Sequence, residues 1–232
     1  TYEAILEESK KNPRIKGAQF SRNFGKEAGI YAGLHNAKGD YLVVMDVDLQ
    51  DPPHMLEEMY LALLEERAKL CCITLDIVRH IISRNVEKGL LPNYQDGAVE
   101  MDKQYCTMGI LGLYEVIEAF GYTKKDEFGY TYYTDEGIEF AGKIFEVLNQ
   151  VKDGFTDEYS FNIESVPAER AAVILCQKDN ILFDIDEKFI YSNQWIPLST
   201  KCTIQEKLRL SAILDEKCSG GSISHINLEA NF

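Results

Sequence analysis

No apolar run in this 232-residue chain approaches the roughly 20 residues that a membrane-spanning helix needs; YLVVMDV at 41–47 and AAVILC at 171–176 are the longest. The N-terminus carries no basic-then-apolar leader pattern, so a cytoplasmic chain without a transmembrane segment is expected. Basic residues are also scarce. Against 38 Asp+Glu stand 24 Lys+Arg, a formal net charge of −14, and such a surface repels a phosphate backbone and excludes a general nucleic-acid binder. A single nucleotide remains a fitting ligand, because local backbone amides or a metal can hold its phosphates. The six cysteines (Cys71, Cys72, Cys106, Cys176, Cys202, Cys218) contain no CxxC pair, and the four histidines (His35, His54, His80, His225) show no metal-ligand spacing. Neither a disulfide framework nor a zinc site is therefore expected, and most of the thiols read as small buried hydrophobes. No internal repeat or low-complexity linker divides the chain. A content of 45% hydrophobic and 27% charged residues is that of globular material, enough for one large domain or two small ones.

The apolar patterning predicts a helix over 2–12, a strand at IKGAQF (15–20), a helix at GKEAGIYAGLHNA (25–37) and a buried strand at DYLVVMD (40–46). Such a β-α-β alternation suggests a parallel sheet of the Rossmann type. Pro52 and Pro53 then open a helix, and from His54 the helical pattern meets no glycine or proline until Gly89, longer than an ordinary globular helix. Further on, the pattern predicts helices over 109–121, 135–152, from Pro167 and over 203–216. Between them it predicts a charged, aromatic loop at 122–133, a strand at YSFNIES (159–165), an extended IYSNQWIPL (190–198) and a strand at SISHINL (222–228).

Asp46 and Asp48 form a D-x-D at the carboxyl end of the expected strand, where alternate side chains point the same way and can share one hard divalent cation. A strand end capped by solvated acids has the same local sequence. The surroundings add Ser21-Arg22-Asn23-Phe24-Gly25-Lys26-Glu27, then Gly39-Asp40, then Asp46-Val47-Asp48-Leu49-Gln50-Asp51-Pro52-Pro53. Over residues 14–62 this resembles family 2 glycosyltransferases, particularly those that move a sugar from a nucleotide donor to a polyprenyl phosphate. The resemblance implies that Asp46 and Asp48 hold Mg²⁺ or Mn²⁺ on a nucleotide-sugar diphosphate, with Gln50 and Asp51 bordering the site. The family's Pro-x-Tyr-Asn-Glu-like turn and its acceptor half have no counterpart in this sequence.

From about Leu70 the pattern changes. The segments RNVEKGLLPNYQDGAVEMDKQYCTMGILGLYEVIEAFG, IESVPAERAAVILCQKDN and IYSNQWIPLSTKCTIQEKLRLSAILDEKCSGGSISHINLE occur in that order. They resemble the catalytic subunit of anaerobic (class III, glycyl radical) ribonucleoside-triphosphate reductase. Pro167, Ala168, Glu169 and Arg170 open a helix directly after a strand, and free amides at a helix N-terminus favour phosphate. The resemblance makes this the nucleotide phosphate-binding candidate, while a plain Pro-initiated helix has the same signature. Asn193 and Gln194 carry amides suited to reading a nucleotide edge, or to satisfying buried backbone. Gly220 and Gly221 permit a close backbone approach or a turn into a barrel strand. Cys106 and His225 read as core residues rather than as radical thiol or proton carrier.

Together these readings predict an α/β chain: a partial Rossmann-like (GT-A type) β-α-β segment in 1–66, joined by a long helix to part of a ten-stranded α/β barrel of the glycyl radical reductase type in 67–232. The join falls between about Glu65 and Asp76. The resemblance places the radical cysteine loop before the matching region and the glycyl radical motif and four-cysteine zinc site beyond Phe232. It therefore implies a reductase piece that is inactive alone, with a metal-dependent glycosyltransferase and a noncatalytic nucleotide-binding or scaffold module as the alternatives. Open strand edges in a part-barrel predict oligomerisation.

Overall fold

In the computed structural model, which describes residues 2–39, 42–45, 54–155, 158–183 and 189–226, two short helices come first, α1 (Tyr2–Lys11) and α2 (Lys26–Asn36). Neither buries a residue. Residues 15–20 and 42–45, expected as strands, lie in no ladder, and Leu42, Val43 and Val44 are exposed. A parallel strand needs a paired neighbour and cover on both faces. These runs have neither among the described residues, so no β-α-β unit is formed there.

The long helix is present in full as α3 (His54–Glu87), 34 residues that bury Ala68, Cys72 and Arg79. The Arg79 guanidinium donates to Gln104 Oε1 at 2.6 Å, Gln104 O at 2.5 Å and Met101 O at 3.0 Å, fixing the turn that feeds the first strand. After the short α4 (Pro92–Gln95) come β1 (Tyr105–Ile110), α5 (Leu113–Ala119), β2 (Thr123–Lys125), β3 (Thr131–Tyr133), α6 (Asp135–Asp153), β4 (Ser160–Ser165), α7 (Glu169–Phe183) and α8 (Ile204–Leu214).

β1 and β4 pair in parallel from Tyr105↔Ser160 to Ile110↔Ser165, while β2 and β3 form an antiparallel hairpin. Parallel pairing requires a crossover, and the chain between β1 and β4 includes α6. Thr134 caps that helix by accepting from Gly137 N at 3.1 Å, and Phe140, Ile144, Phe145, Leu148 and Val151 form its buried stripe. α3 and α6 pack on each other, on the sheet face carrying Cys106, Met108, Phe161 and Ile163. The opposite face, with Thr107, Asn162 and Glu164, stays partly open.

Four sequence readings change here. Residues 105–110 are strand, and the helix expected over 109–121 starts only at Leu113, after Gly112 turns the chain at φ +83°. The expected loop at 122–133 is the β2–β3 hairpin. Residues 222–226, expected as strand, have no ladder assignment, although Gly220 N donates to Ile163 O at 2.7 Å and Ser165 N donates to Gly221 O at 3.1 Å, bringing the preceding turn beside β4. His225 is exposed rather than core; its backbone N–H donates to Gln194 Oε1. No helix among the described residues is long and apolar enough to cross a membrane.

Candidate functional site

Because Ile110 pairs with Ser165, the carboxyl ends of β1 and β4 lie side by side. Open α/β sheets hold their ligands at that end. Three segments gather there. Residues 166–168 turn from β4 into α7, and Ala172 N donates to Ala168 O at 2.9 Å. The helical amides before Ala172 therefore have no intrahelical acceptor and form a positive terminus suited to an anion. Pro167, Glu169 and Arg170 are exposed and Ala168 is half-buried.

The second segment, 191–196, is irregular chain with bends. Both peptide groups of Ser192 are held by the start of α5: Gly112 N donates to Ser192 O at 2.7 Å, and Ser192 N donates to Glu115 Oε1 at 3.0 Å. Ser165 at the end of β4 donates its hydroxyl to Asn193 O. The buried Tyr133 phenol, pushed well above its ordinary range by burial, donates to Trp195 O at 2.6 Å. The third segment is the Cys218–Gly221 turn. Gly220 is needed there for its lack of a side chain, since a Cβ would lie 2.6 Å from Asn162 Nδ2 and 3.0 Å from Ile163 O. Asp215 Oδ1 joins this turn to the second segment, accepting from Trp195 Nε1 at 2.7 Å and Ser222 Oγ at 2.6 Å.

Two side-chain atoms near this rim are buried without a hydrogen-bond partner, Asn193 Nδ2 and Asn162 Oδ1. Leaving such atoms unpaired costs roughly 1–3 kcal/mol each. Beside the rim, a cavity of about 440 Å³ lies between α5 and α7, lined by Arg14, Glu115, Cys176, Asp179, Asn180 and Tyr191. Burial, reinforced by the 2.5 Å bond to Asp179, pushes the Tyr191 phenol up, so it is a hydrogen-bond donor at neutral pH.

The structure brings the two reductase-like candidates together: Pro167, Ala168, Glu169 and Arg170 on one side and Asn193 and Gln194 on the other, joined through Ser165. Gln194 is buried, and its Oε1 is occupied by the His225 amide, while Asn193 Nδ2 is buried without a hydrogen-bond partner. Asp46, Asp48, Gln50 and Asp51 lie outside the described residues. Among the described residues no group of three or more His, Cys, Asp or Glu side chains could hold a metal. Cys106 is buried beside the core, and its thiol is pushed up by burial, unlike an activated sulfur. Glu115, Ser192 and Gly112, which position the second segment, went unread in the sequence. The signal was a glycine followed three residues later by a glutamate at a helix start, LGLYE.

A family profile for anaerobic ribonucleoside-triphosphate reductase matches residues 47–232. Among solved structures, the anaerobic ribonucleotide reductase from Thermotoga maritima in complex with dATP and CTP is 38% identical with a TM-score of 0.71, covering 76% of this chain and 30% of its own. The same protein with dATP in its specificity site is 39% identical with a TM-score of 0.70, covering 74% and 30%. Shorter similarities reach other proteins. An uncharacterized glycosyltransferase of Bacillus subtilis is 49% identical over 57 residues, 25% of this chain and 18% of that protein. A prophage bactoprenol glucosyl transferase homolog of Escherichia coli is 47% identical over 51 residues, 20% and 17%. The chain thus spans under a third of the solved reductases and under a fifth of these glycosyltransferases. By a profile match that runs through both strands and all three segments of the rim, the chain belongs to the anaerobic ribonucleoside-triphosphate reductase family.

Proposed function

We propose that the chain supplies the nucleotide-phosphate wall of an anaerobic ribonucleoside-triphosphate reductase barrel, the enzyme class that converts ribonucleotides to deoxyribonucleotides. One observation carries the reading: the N-terminus of α7 opens directly from the carboxyl end of β4, alongside that of β1, with the unpaired Asn193 Nδ2 on the adjoining segment. On the Pro167–Arg170 turn the helix-start N–H groups of Glu169 and Arg170 receive the phosphates, since Pro167 has none and the Ala168 N–H donates to Val166 O at 2.8 Å, and Asn193 and Gln194 border the nucleoside. Further barrel strands continue the sheet beyond β1 and beyond Gly220. The 232 residues alone bind but do not turn over, and the setting is cytoplasmic.

Ala168→Asp tests this with two readouts of opposite sign. An aspartate in the residue before α7 is a better helix cap than alanine, worth about 0.5–2 kcal/mol, so the unliganded chain melts at the same temperature or higher. The same carboxylate occupies and repels the phosphate position. A ribonucleoside triphosphate at about 100 times its dissociation constant adds roughly 2.7 kcal/mol to the parent chain, and the variant loses that shift. Retention of the full shift in the variant, or no shift in the parent, refutes the assignment.

A second reading is favoured by the 49% local identity to a glycosyltransferase. It places a nucleotide-sugar site, with Mg²⁺ or Mn²⁺ on Asp46 and Asp48 and with Gln50 and Asp51 at its border, in a segment 1–66 joined to 67–232 within α3. A nucleotide-sugar with Mn²⁺ raising the melting temperature of the parent, and not of Asp46→Asn, supports it; no shift with the parent refutes it.

A further inference from the structure

Sulfur gathers where α3 crosses the first strand. Cys72 Sγ donates to Met108 Sδ at 3.6 Å, and both side chains are buried. Cys106 stands two residues before Met108 in β1, so alternation puts its thiol on the same face of the strand, and it is buried as well. Burial, and then the neighbouring thiols of Cys71 and Cys106, push the Cys72 thiol up to about 11, which places these sulfurs within electrostatic reach of one another. A cavity of about 220 Å³ opens beside them between α3, α5, α6 and the end of β1. Exposed Cys71 and buried Met108 share its wall, a path from the surface to the sulfurs. Arg79, seven residues after Cys72 and so on the same side of the helix, is buried. Among the described residues its guanidinium hydrogen-bonds only to neutral oxygens of Gln104 and Met101, lies over the Tyr159 ring, and leaves Nε unpaired. A buried charge without an opposite one is costly. Burial pushes the Cys106 thiol up, the Arg79 charge pulls it back, and Asp76, whose carboxylate faces His80 at 3.4 Å, adds to the upward push.

We propose that Cys72, Cys106 and Met108 form a binding site for one soft monovalent ion of the Cu(I) class. Thiolate and thioether donors select such ions over hard cations, and three sulfurs lack the fourth donor that a closed zinc site uses. On binding, both thiols release their protons to solvent, two metal–thiolate bonds and one metal–thioether bond form, and the ion stays monovalent, so nothing is oxidised or reduced. Two thiolates on a monovalent ion carry one negative charge, which the Arg79 guanidinium offsets inside the fold. The empty, protonated site is neutral and leaves that guanidinium uncompensated. Cys71 is not a ligand, because successive positions on a helix point about 100° apart. It takes the ion at the cavity and hands it to Cys72 by thiolate exchange. Once loaded, the site ties α3 to β1 through side chains 36 residues apart. None of these side chains belongs to the nucleotide rim, so the site is independent of that reading.

Titration of the full, reduced chain under argon with Cu(I) held by a chromogenic chelator tests the site, with far-UV circular dichroism to confirm that each variant folds. The parent binds one ion tightly and releases both thiol protons, so its apparent affinity rises roughly hundredfold per pH unit between about pH 6 and 8, where a single-thiol site gives roughly tenfold. Cys72→Ala and Cys106→Ala each lose the tight site. Loss of an outer-shell partner costs a metal site about 10–100-fold, so Met108→Leu, close to methionine in volume, weakens binding at least about tenfold. Cys71→Ser keeps the parent affinity and loads more slowly. The ion raises the melting temperature of the parent and of Cys71→Ser, and not of Cys72→Ala. A parent without a tight site, a single proton released, tight binding that survives Cys72→Ala or Cys106→Ala, parent affinity in Met108→Leu, or loss of the site in Cys71→Ser each overturns the proposal. Should an alanine variant fail to fold, the proton count on the parent and the Met108→Leu affinity still decide it.

Discussion

Replacing Glu115 with alanine tests whether α5 organises the rim. The carboxylate accepts the Ser192 amide at 3.0 Å, and Ser192 is only 9% exposed, so water cannot readily take over as acceptor. A hydrogen bond to a charged group contributes about 1.5–3 kcal/mol, and the alanine variant additionally leaves the Ser192 N–H buried and unpaired. For a chain of this size each kcal/mol corresponds to about 2–4 °C in melting temperature, so Glu115→Ala is expected to melt about 3–12 °C lower. Glu115→Gln keeps a carbonyl acceptor in the same place and is expected to lose less than half as much. The Gly112 amide still holds Ser192 O in both variants, so the second segment loosens without detaching. Nucleotide-induced stabilisation should therefore weaken severalfold rather than vanish. Thermal unfolding with and without a ribonucleoside triphosphate reads both effects. Glu115→Ala melting within 1 °C of the parent, or Glu115→Gln as damaging as Glu115→Ala, would refute the clamp.

Gly220→Ala forces a Cβ to within 2.6 Å of Asn162 Nδ2 and 3.0 Å of a backbone carbonyl, and is expected to destabilise the chain by about 1–3 kcal/mol in urea unfolding. Cys71 is exposed whereas Cys72, Cys106, Cys176 and Cys218 are buried, so a thiol reagent on the native protein should modify Cys71 before any of those four, as peptide mapping will show. Burial pushes the thiols of Cys72 and Cys218 from 9.0 up to about 11. Their folded forms retain a proton that the unfolded chain releases earlier, so stability should fall as pH rises from about 9 to about 11 and should not respond to them below that window.

The helices were legible because their signals are local. α3 has no glycine or proline inside it, α6 opens on a Thr cap followed by a repeating apolar stripe, and α8 begins after Thr203, whose hydroxyl accepts from Glu206 N at 3.2 Å. β1 was not legible, since YCTMGI runs through Leu111 into the apolar GLYEVIEAFG with only Gly109 and Gly112 as punctuation, and its strand character comes from pairing with β4, distant in sequence. The β2–β3 hairpin had a readable sign that was passed over. Asp126 accepts from Phe128 N and Tyr130 N, and Gly129 sits at φ +77°, an Asp-x-x-Gly turn between Thr- and Tyr-rich arms. At the rim, helix-start chemistry marked Pro167 to Arg170. Nothing local marked Ser192, whose role depends on α5 arriving beside it.

The N-terminal part separates motif from packing. Residues 14–62 carry a glycosyltransferase-like pattern, yet α1 and α2 bury nothing. The first turns of α3 behave differently. Tyr60 packs edge-on against Phe120 at 5.7 Å and lies 5.9 Å from Phe140, while Glu57 accepts from the Tyr122 hydroxyl and faces Lys143 Nζ at 3.5 Å. Those partners belong to α6 and the loop between α5 and β2, which are parts of the reductase-like body. The packing unit therefore reaches back at least to Glu57, several residues before the boundary that the change of resemblance suggests, and in agreement with a family match that begins at residue 47. A helix makes such an overlap sterically mild, because its inner row needs only an apolar side chain every three or four residues and both sequence patterns supply one.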